Sequence, residues 1–236
     1  MWTGGWDSTF RVLDLVINKK IEVAPFYILD HNRKSTKMEL KTMSRIREMI
    51  QEIDESASSK LKELVVVDME EIPINASLTK SYKILASQSH LGGQYDWLAR
   101  YCEYHSIGNL ELCIHLDDTV EGFIKNDVKL IKENQDEYYV LNENPKQKEL
   151  EVFSFYHYPL FNMTKLDMEA KAKESGFDHI MEATWFCHSP INNKACGMCN
   201  PCKYTREEGL GRRVPKPTIF MKMQKKLQGL KSKLKS

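Results

Sequence analysis

Apolar positions along the chain alternate between short continuous runs and stripes spaced three and four residues apart. Phe10, Leu13 and Ile17 mark one side of a helix expected over 9–19. IEVAPFYIL over 21–29 is β-rich and nearly continuously apolar, as a strand buried in a parallel sheet should be. Leu40, Met43, Ile46, Ile50 and Ile53 form the stripe of a second helix, opened by Thr36 with Glu39 at capping-box spacing. Residues 55–60 read as a loop and ELVVVD over 63–68 as another buried strand. Helices are expected over 78–88 and 95–105, punctuated by Gly92-Gly93, then a strand over 110–116 ending at Asp117-Asp118. The polar stretch around 134–148 reads as a surface insertion. A strand over 152–160, a helix over 165–175 and a short final strand over 180–185 follow. Strand and helix alternating this way predict an α/β fold, a parallel sheet with helices on both faces.

Length and charge narrow the partners. The 236 residues suit one medium domain with a small appendage. A net charge of +1 leaves no surplus for wrapping nucleic acid, so a nucleic-acid partner is not indicated. No run approaches the length of a membrane span, and no basic segment followed by an apolar stretch marks a secretion signal. The expected location is cytoplasmic. From Lys216 onward there are seven lysines and no acid. Met223, Leu227, Leu230 and Leu234 recur there as in a basic amphipathic helix. Such a tail suits a subunit contact, RNA, anionic lipid or a solubilising end.

Two motifs carry chemistry. Thr3-Gly4-Gly5-Trp6-Asp7-Ser8 stands directly before the first helix. Adjacent glycines let the backbone turn its N–H groups toward one point, and the helix adds its positive end, so the loop suits phosphate. Thr3 and Ser8 offer hydroxyls, and Asp7 is suited to a divalent ion or to capping the helix. The Gly-Lys-Ser/Thr ending of a Walker loop is missing.

The second motif is Cys187-x8-Cys196-x2-Cys199-x2-Cys202. Tetrahedral zinc takes four thiolates in such short turns, and a filled coordination sphere makes the ion structural. An iron–sulfur cluster also suits four cysteines, and a disulfide pair is the third reading. His188 reads as a bystander, and Cys102 and Cys113 as buried small apolar residues. His90, His157 and Trp97 carry no local support for a role beyond packing.

The loop resembles the Ser-Gly-Gly-x-Asp-Ser signature of the PP-loop ATP pyrophosphatases, with Thr3 in place of the first serine. Pro159-Leu160, Thr164-Lys165, Thr184-Trp185-Phe186-Cys187, the cysteine motif, Arg206 and Gly209 are similar to elements of the 7-cyano-7-deazaguanine synthases, the QueC-like branch. The middle departs: Asp30-His31-Asn32-Arg33 and Leu91-Gly92-Gly93-Gln94-Tyr95 stand where that branch has other substrate-facing elements. A different acceptor is therefore expected. Only Met1 and Trp2 precede the loop where the family has a full strand, so a shortened N-terminus is expected as well.

The resemblance implies a Rossmann-like sheet with a C-terminal zinc knuckle, and ATP, Mg2+ and Zn2+ as cofactors. It implies ATP cleavage to AMP and pyrophosphate to activate a carboxylate, then attack by ammonia or another amine. Thr3, Gly4, Gly5, Trp6, Asp7, Ser8, Asp30 and Arg33 would bind the nucleotide, with Asp7 and Lys165 catalytic and Cys187, Cys196, Cys199 and Cys202 holding the metal. Residues 1–186 would form the ATP-binding part, 187–212 the zinc segment and 213–236 the tail; the expected assembly is a homodimer. The competing readings are a tRNA-modifying PP-loop enzyme and a nucleotide-binding scaffold that has lost turnover.

Overall fold

A computed structural model describes residues 1–116, 118–133, 136–218 and 223. The glycine loop runs into helix α1 (Trp6–Leu13), continued by a π-helical turn over Asp14–Asn18. Strand β1 (Phe26–Leu29) leads through α2 (Thr36–Ile53) and α3 (Glu55–Lys60) to β2 (Val65–Asp68). Helices α4 (Ala76–Gln88) and α5 (Gln94–Tyr104) precede β3 (Leu110–Glu111) and α6 (Thr119–Ile124). A hairpin of β4 (Val128–Glu133) and β5 (Asp136–Leu141) and the short β6 (Tyr156–His157) follow. Helices α7 (Lys165–Glu174), α8 (Asp178–Glu182) and α9 (Asn200–Thr205) complete the order.

The expected α/β architecture is present. Strands β1 and β2 pair in parallel, Phe26 opposite Val65, and β3 pairs in parallel with β6, Leu110 opposite Tyr156. Neighbouring residues of β1 point to opposite faces, as the period of two requires. Tyr27 enters an apolar cluster with residues of α1, α2, α7 and α8, and Ile28 enters another with residues of α4 and α5. Helices therefore cover both faces, with two cores separated by the strands.

Met1 and Trp2 lie between the two parallel pairs. The Met1 amine donates to the Glu111 carbonyl at 2.7 Å, and the Trp2 N–H donates to the Phe26 carbonyl at 2.8 Å. These two residues bridge the pairs where the resemblance places a full strand. Beside them is a cavity of about 380 Å³, bordered by Val23 and Ala24 on one side and Asn109 and Leu110 on the other.

Several local expectations are corrected. Residues 55–60 are helical, because the Asp54 carboxylate accepts from the Ala57 N–H and starts the turn. The run over 180–185 is not a strand: Ile180 and Met181 lie in α8 and are fully buried. A short apolar run does not distinguish the two states. Val65 and Val66 of the supposedly buried β2 are 41% and 48% exposed. Helix α2 has Ser35 at its N-cap without a side-chain cap bond, and Glu39 turns inward instead of closing a capping box with Thr36. The expected insertion contains strand β5, which pairs antiparallel with β4 just before it. Asp117 and the stripe of Leu227, Leu230 and Leu234 lie outside the described residues.

Candidate active site

Gly4 has φ +69°, a conformation that disfavours any side chain, and a Cβ there would lie 3.2 Å from the Glu39 carbonyl oxygen. The chain therefore approaches α2 closely at Gly4. Gly5 is the N-cap of α1, and no side chain caps that end. Asp7 is thus not the helix cap, and among the described residues no side chain accepts from the first N–H groups of α1. Thr3 and Ser8 face each other across the loop, their hydroxyl oxygens 3.3 Å apart, and the Thr3 N–H donates to Ser8 Oγ at 3.3 Å.

The loop forms one wall of a cavity of about 420 Å³, into which Thr3, Gly5, Trp6 and Asp7 face. Lys165, the first residue of α7, is across from it, fixed by the capping box of Thr164 and Asp167. Its Nζ is 3.7 Å from Asp7 Oδ2 and 2.8 Å from Glu208 Oε2. Burial would lower the Lys165 pKa, but Asp7, Glu208 and Asp118 outweigh it and raise it above its usual value. Asp7 Oδ1 is buried without a hydrogen-bond partner among the described residues. So is Trp6 Nε1, on a side chain 4% exposed with the Arg213 guanidinium 4.7 Å from its ring centroid.

Asp30 and Arg33, at the C-terminal end of β1, line the same cavity. Asp30 accepts from the Asn32 N–H at 2.8 Å, and Arg33 pairs with Glu39 at 2.8 Å. Glu39 is buried and accepts from Tyr27 Oη at 2.8 Å and Ser35 Oγ at 2.7 Å. Arg33 also donates to His188 Nε2 at 3.2 Å. Burial, then Arg33, lowers the His188 pKa, so its ring is neutral and accepts.

Cys187, Cys196, Cys199 and Cys202 are brought together, with ligand atoms within 4.8 Å of one another. Their Sγ separations include 3.7, 3.9 and 3.3 Å. Four sulfurs at a Zn–S length of about 2.3 Å would stand roughly 3.8 Å apart, so the set fits tetrahedral zinc. Backbone N–H groups of Cys196, Met198 and Cys199 donate to these sulfurs, which favours thiolates. His188 is outside the set, while Cys102 and Cys113 are held apart from it, burial pushing both thiols up to about 12.

The metal-ligand segment reaches the loop directly. The Trp185 N–H donates to the Gly4 carbonyl at 2.8 Å, and Trp185 and Phe186 line the cavity. Beyond α9, a π-helical stretch over Arg206–Leu210 carries Glu208 to Lys165, and Gly209 at φ +87° closes it against Leu166. Arg206 donates to the Gly197 carbonyl at 2.8 Å, and Arg213 donates to the Thr184 carbonyl at 2.6 Å.

The family model for queuosine biosynthesis protein QueC matches residues 1–213. The chain belongs to the QueC family. The matched span contains the glycine loop, Lys165, Glu208 and all four cysteines, and a Rossmann-like PP-loop fold is that of a QueC protein. No curated protein and no solved structure matches the chain significantly.

Sequence reasoning singled out the loop, Asp30, Arg33, Lys165 and the cysteines; it gave Glu39 only a helix-capping role and assigned nothing to His115, Glu208 or Arg213, which share the cavity. His115 stands one residue before the end of the run expected as a strand over 110–116, and that near-terminal position was the one available signal. Glu208 and Arg213 had none, being ordinary charged residues beyond the cysteines. His157 stacks on Tyr138 with centroids 4.0 Å apart, and His90 is exposed, whereas Trp97 lines the cavity. No helix among the described residues is long and apolar enough to cross a membrane.

Proposed function

We propose that this QueC-family protein activates a carboxylate with ATP, releasing pyrophosphate and then AMP as a nitrogen nucleophile takes the acyl group. The observation that carries this reading is the convergence of the glycine loop, the unpartnered oxygen of Asp7 and the buried Lys165 on one cavity.

A carboxylate is a poor acyl donor because its leaving group would be oxide. Transfer of AMP to that oxygen supplies a stable leaving group. The loop N–H groups and the Thr3 and Ser8 hydroxyls are suited to the β and γ phosphates, whose departing charge Lys165 offsets when it exchanges Glu208 for phosphate. Mg2+, held by Asp7, would supply further charge neutralisation. Trp97, Trp185 and Phe186 add apolar wall that excludes water, which would otherwise hydrolyse an acyl-adenylate. The four cysteines would hold zinc as a structural ion that shapes this wall.

Zinc-loaded protein incubated with α-labelled ATP, Mg2+, ammonium and a panel of carboxylates should release AMP and pyrophosphate, and Asp7→Ala should abolish it. Release of ADP instead would sink the reading. ATP binding without release of either nucleotide would favour a scaffold.

A further inference from the structure

Arg11 and Arg213 are buried to the same degree, with side chains 5% and 4% exposed, but their charges are compensated very differently. Arg11 donates to both oxygens of Glu111, at 2.8 and 2.6 Å, and pairs with Asp136 as well. Burial would lower its pKa, but those carboxylates outweigh burial and raise it. No carboxylate among the described residues accepts a hydrogen bond from Arg213. Its Nη2 donates to the Thr184 carbonyl at 2.6 Å and to Thr184 Oγ1 at 2.7 Å, both neutral acceptors. Its Nε is 3.5 Å from Glu182 Oε2, and Glu182 is 46% exposed and also pairs with Arg212. Burial therefore wins: Glu182 offsets it only in part, and the Arg213 pKa falls from 12.5 to about 10.

This under-compensated charge stands beside the glycine loop. The guanidinium lies over two rings, 4.7 Å from the Trp6 centroid and 5.4 Å from that of Phe186. Trp6 is the first residue of α1, directly after Gly5, and its Nε1 is a second buried donor with no partner among the described residues. The rings attract a cation but bring no net charge. Thr184, which fixes Nη2, precedes Trp185, whose N–H braces Gly4. Arg213 Nη1 makes no hydrogen bond among the described residues, and Arg213 lines the cavity that the loop borders. The other arginine and lysine side chains lining it are already matched: Arg33 pairs with buried Glu39, and Lys165 with Glu208 and Asp7. A buried cation short of counter-charge, next to the N–H groups of a helix start, fits a multiply charged anion.

We propose that Arg213 is a pyrophosphate-binding residue, its Nη1 donating to an oxygen of the β–γ unit seated in the glycine loop. This rests on the nucleotide reading above and adds a binding residue to it. Arg213 is preorganised for the anion, because Thr184 and the two rings hold the guanidinium before any ligand arrives. Lys165 must first give up Glu208. Arg213 therefore supplies charge to the nucleotide as it binds. It lies beyond the last cysteine, so the segment that the cysteines organise delivers a cation to the loop as well as bracing it.

The first test reads the contact itself. Zinc-loaded full chain with arginines 15N-labelled in the guanidino group is titrated with pyrophosphate in the presence of Mg2+, with sodium chloride at matched ionic strength as the control. The guanidino resonances absent from Arg213→Lys should shift saturably with pyrophosphate and stay in place with chloride.

The second test is calorimetric. Arg213→Gln should weaken pyrophosphate and ATP binding about 10–100-fold, the range for one lost hydrogen bond to a charged group. Glu182→Gln removes the nearest carboxylate, so it should bind pyrophosphate at least as tightly as the unmodified chain. A purely structural Glu182–Arg213 pair predicts the reverse, and a loss in Glu182→Gln matching that of Arg213→Gln would overturn the proposal. An unmodified chain that binds neither pyrophosphate nor ATP removes the nucleotide reading, and this proposal with it. Binding by that chain with unmoved Arg213 resonances, or with full affinity in Arg213→Gln, overturns this proposal alone.

Discussion

The Trp185 N–H donates to the Gly4 carbonyl at 2.8 Å, two residues before the first of the clustered cysteines. The glycine loop is therefore braced by the same segment that the metal would order. Glu208 and Arg213, just beyond the last cysteine, reach the loop's cavity from the other end of that segment. Zinc held by these cysteines would shape the cavity wall as well as its own turns.

Loss of the metal should disorder that wall. Chelation, or Cys199→Ser, is expected to release about one zinc per chain, to expose residues 185–213 to limited proteolysis, and to weaken ATP binding. Metal analysis, proteolysis and calorimetric titration check the three together. Intact ATP affinity in the metal-free chain would show that the Trp185–Gly4 bond does not hold the loop.

Gly4→Ala should cost about 1–3 kcal/mol of stability. Its φ of +69° strains any side chain, and the added Cβ meets both the Glu39 carbonyl oxygen and Met43 at 3.2 Å. Gly93→Ala is the control, because a Cβ there meets nothing within 4 Å. Urea denaturation of the two variants should separate them clearly.

Lys165→Gln should leave the fold in place and lower AMP formation by about 10²–10³-fold, the range found when one preorganised charge donor is removed from a reacting anion. The two neighbouring carboxylates lose their cation, so ATP binding should fall as well. Steady-state AMP release and nucleotide binding measure the two effects separately. An unchanged rate would remove Lys165 from the chemistry.

Acid should weaken the anchoring of the hairpin. Asp136, at the start of β5, pairs with Arg11 and Lys19. Burial would raise its pKa, but these two cations outweigh burial and lower it from 3.8 to about 2. A folded-state pKa below the unfolded one stabilises the protein above about pH 4, and that stability is lost as pH falls through about 2. Asp136→Asn should therefore be less stable at neutral pH and lose less stability between those limits. Denaturation midpoints at several pH values check the sign.

Much of this protein was written locally. The glycine loop, the helix start at Lys165 and the four cysteines are each specified within a few neighbours. Backbone freedom, capping and thiolate spacing act over that range, and these features were legible before any fold was known. The α/β alternation was legible for the same reason, since long apolar periods report burial directly.

Tertiary structure alone decided the rest. The start of the run over 180–185 became helix, and Glu39 left its expected cap to accept from Tyr27 and Ser35, because packing outweighs weak local preference. His115 and Glu208 are 93 residues apart in sequence and 3.7 Å apart in space. No periodicity or spacing encodes such a meeting: it arises when the C-terminal segment folds back to the cavity that both residues line.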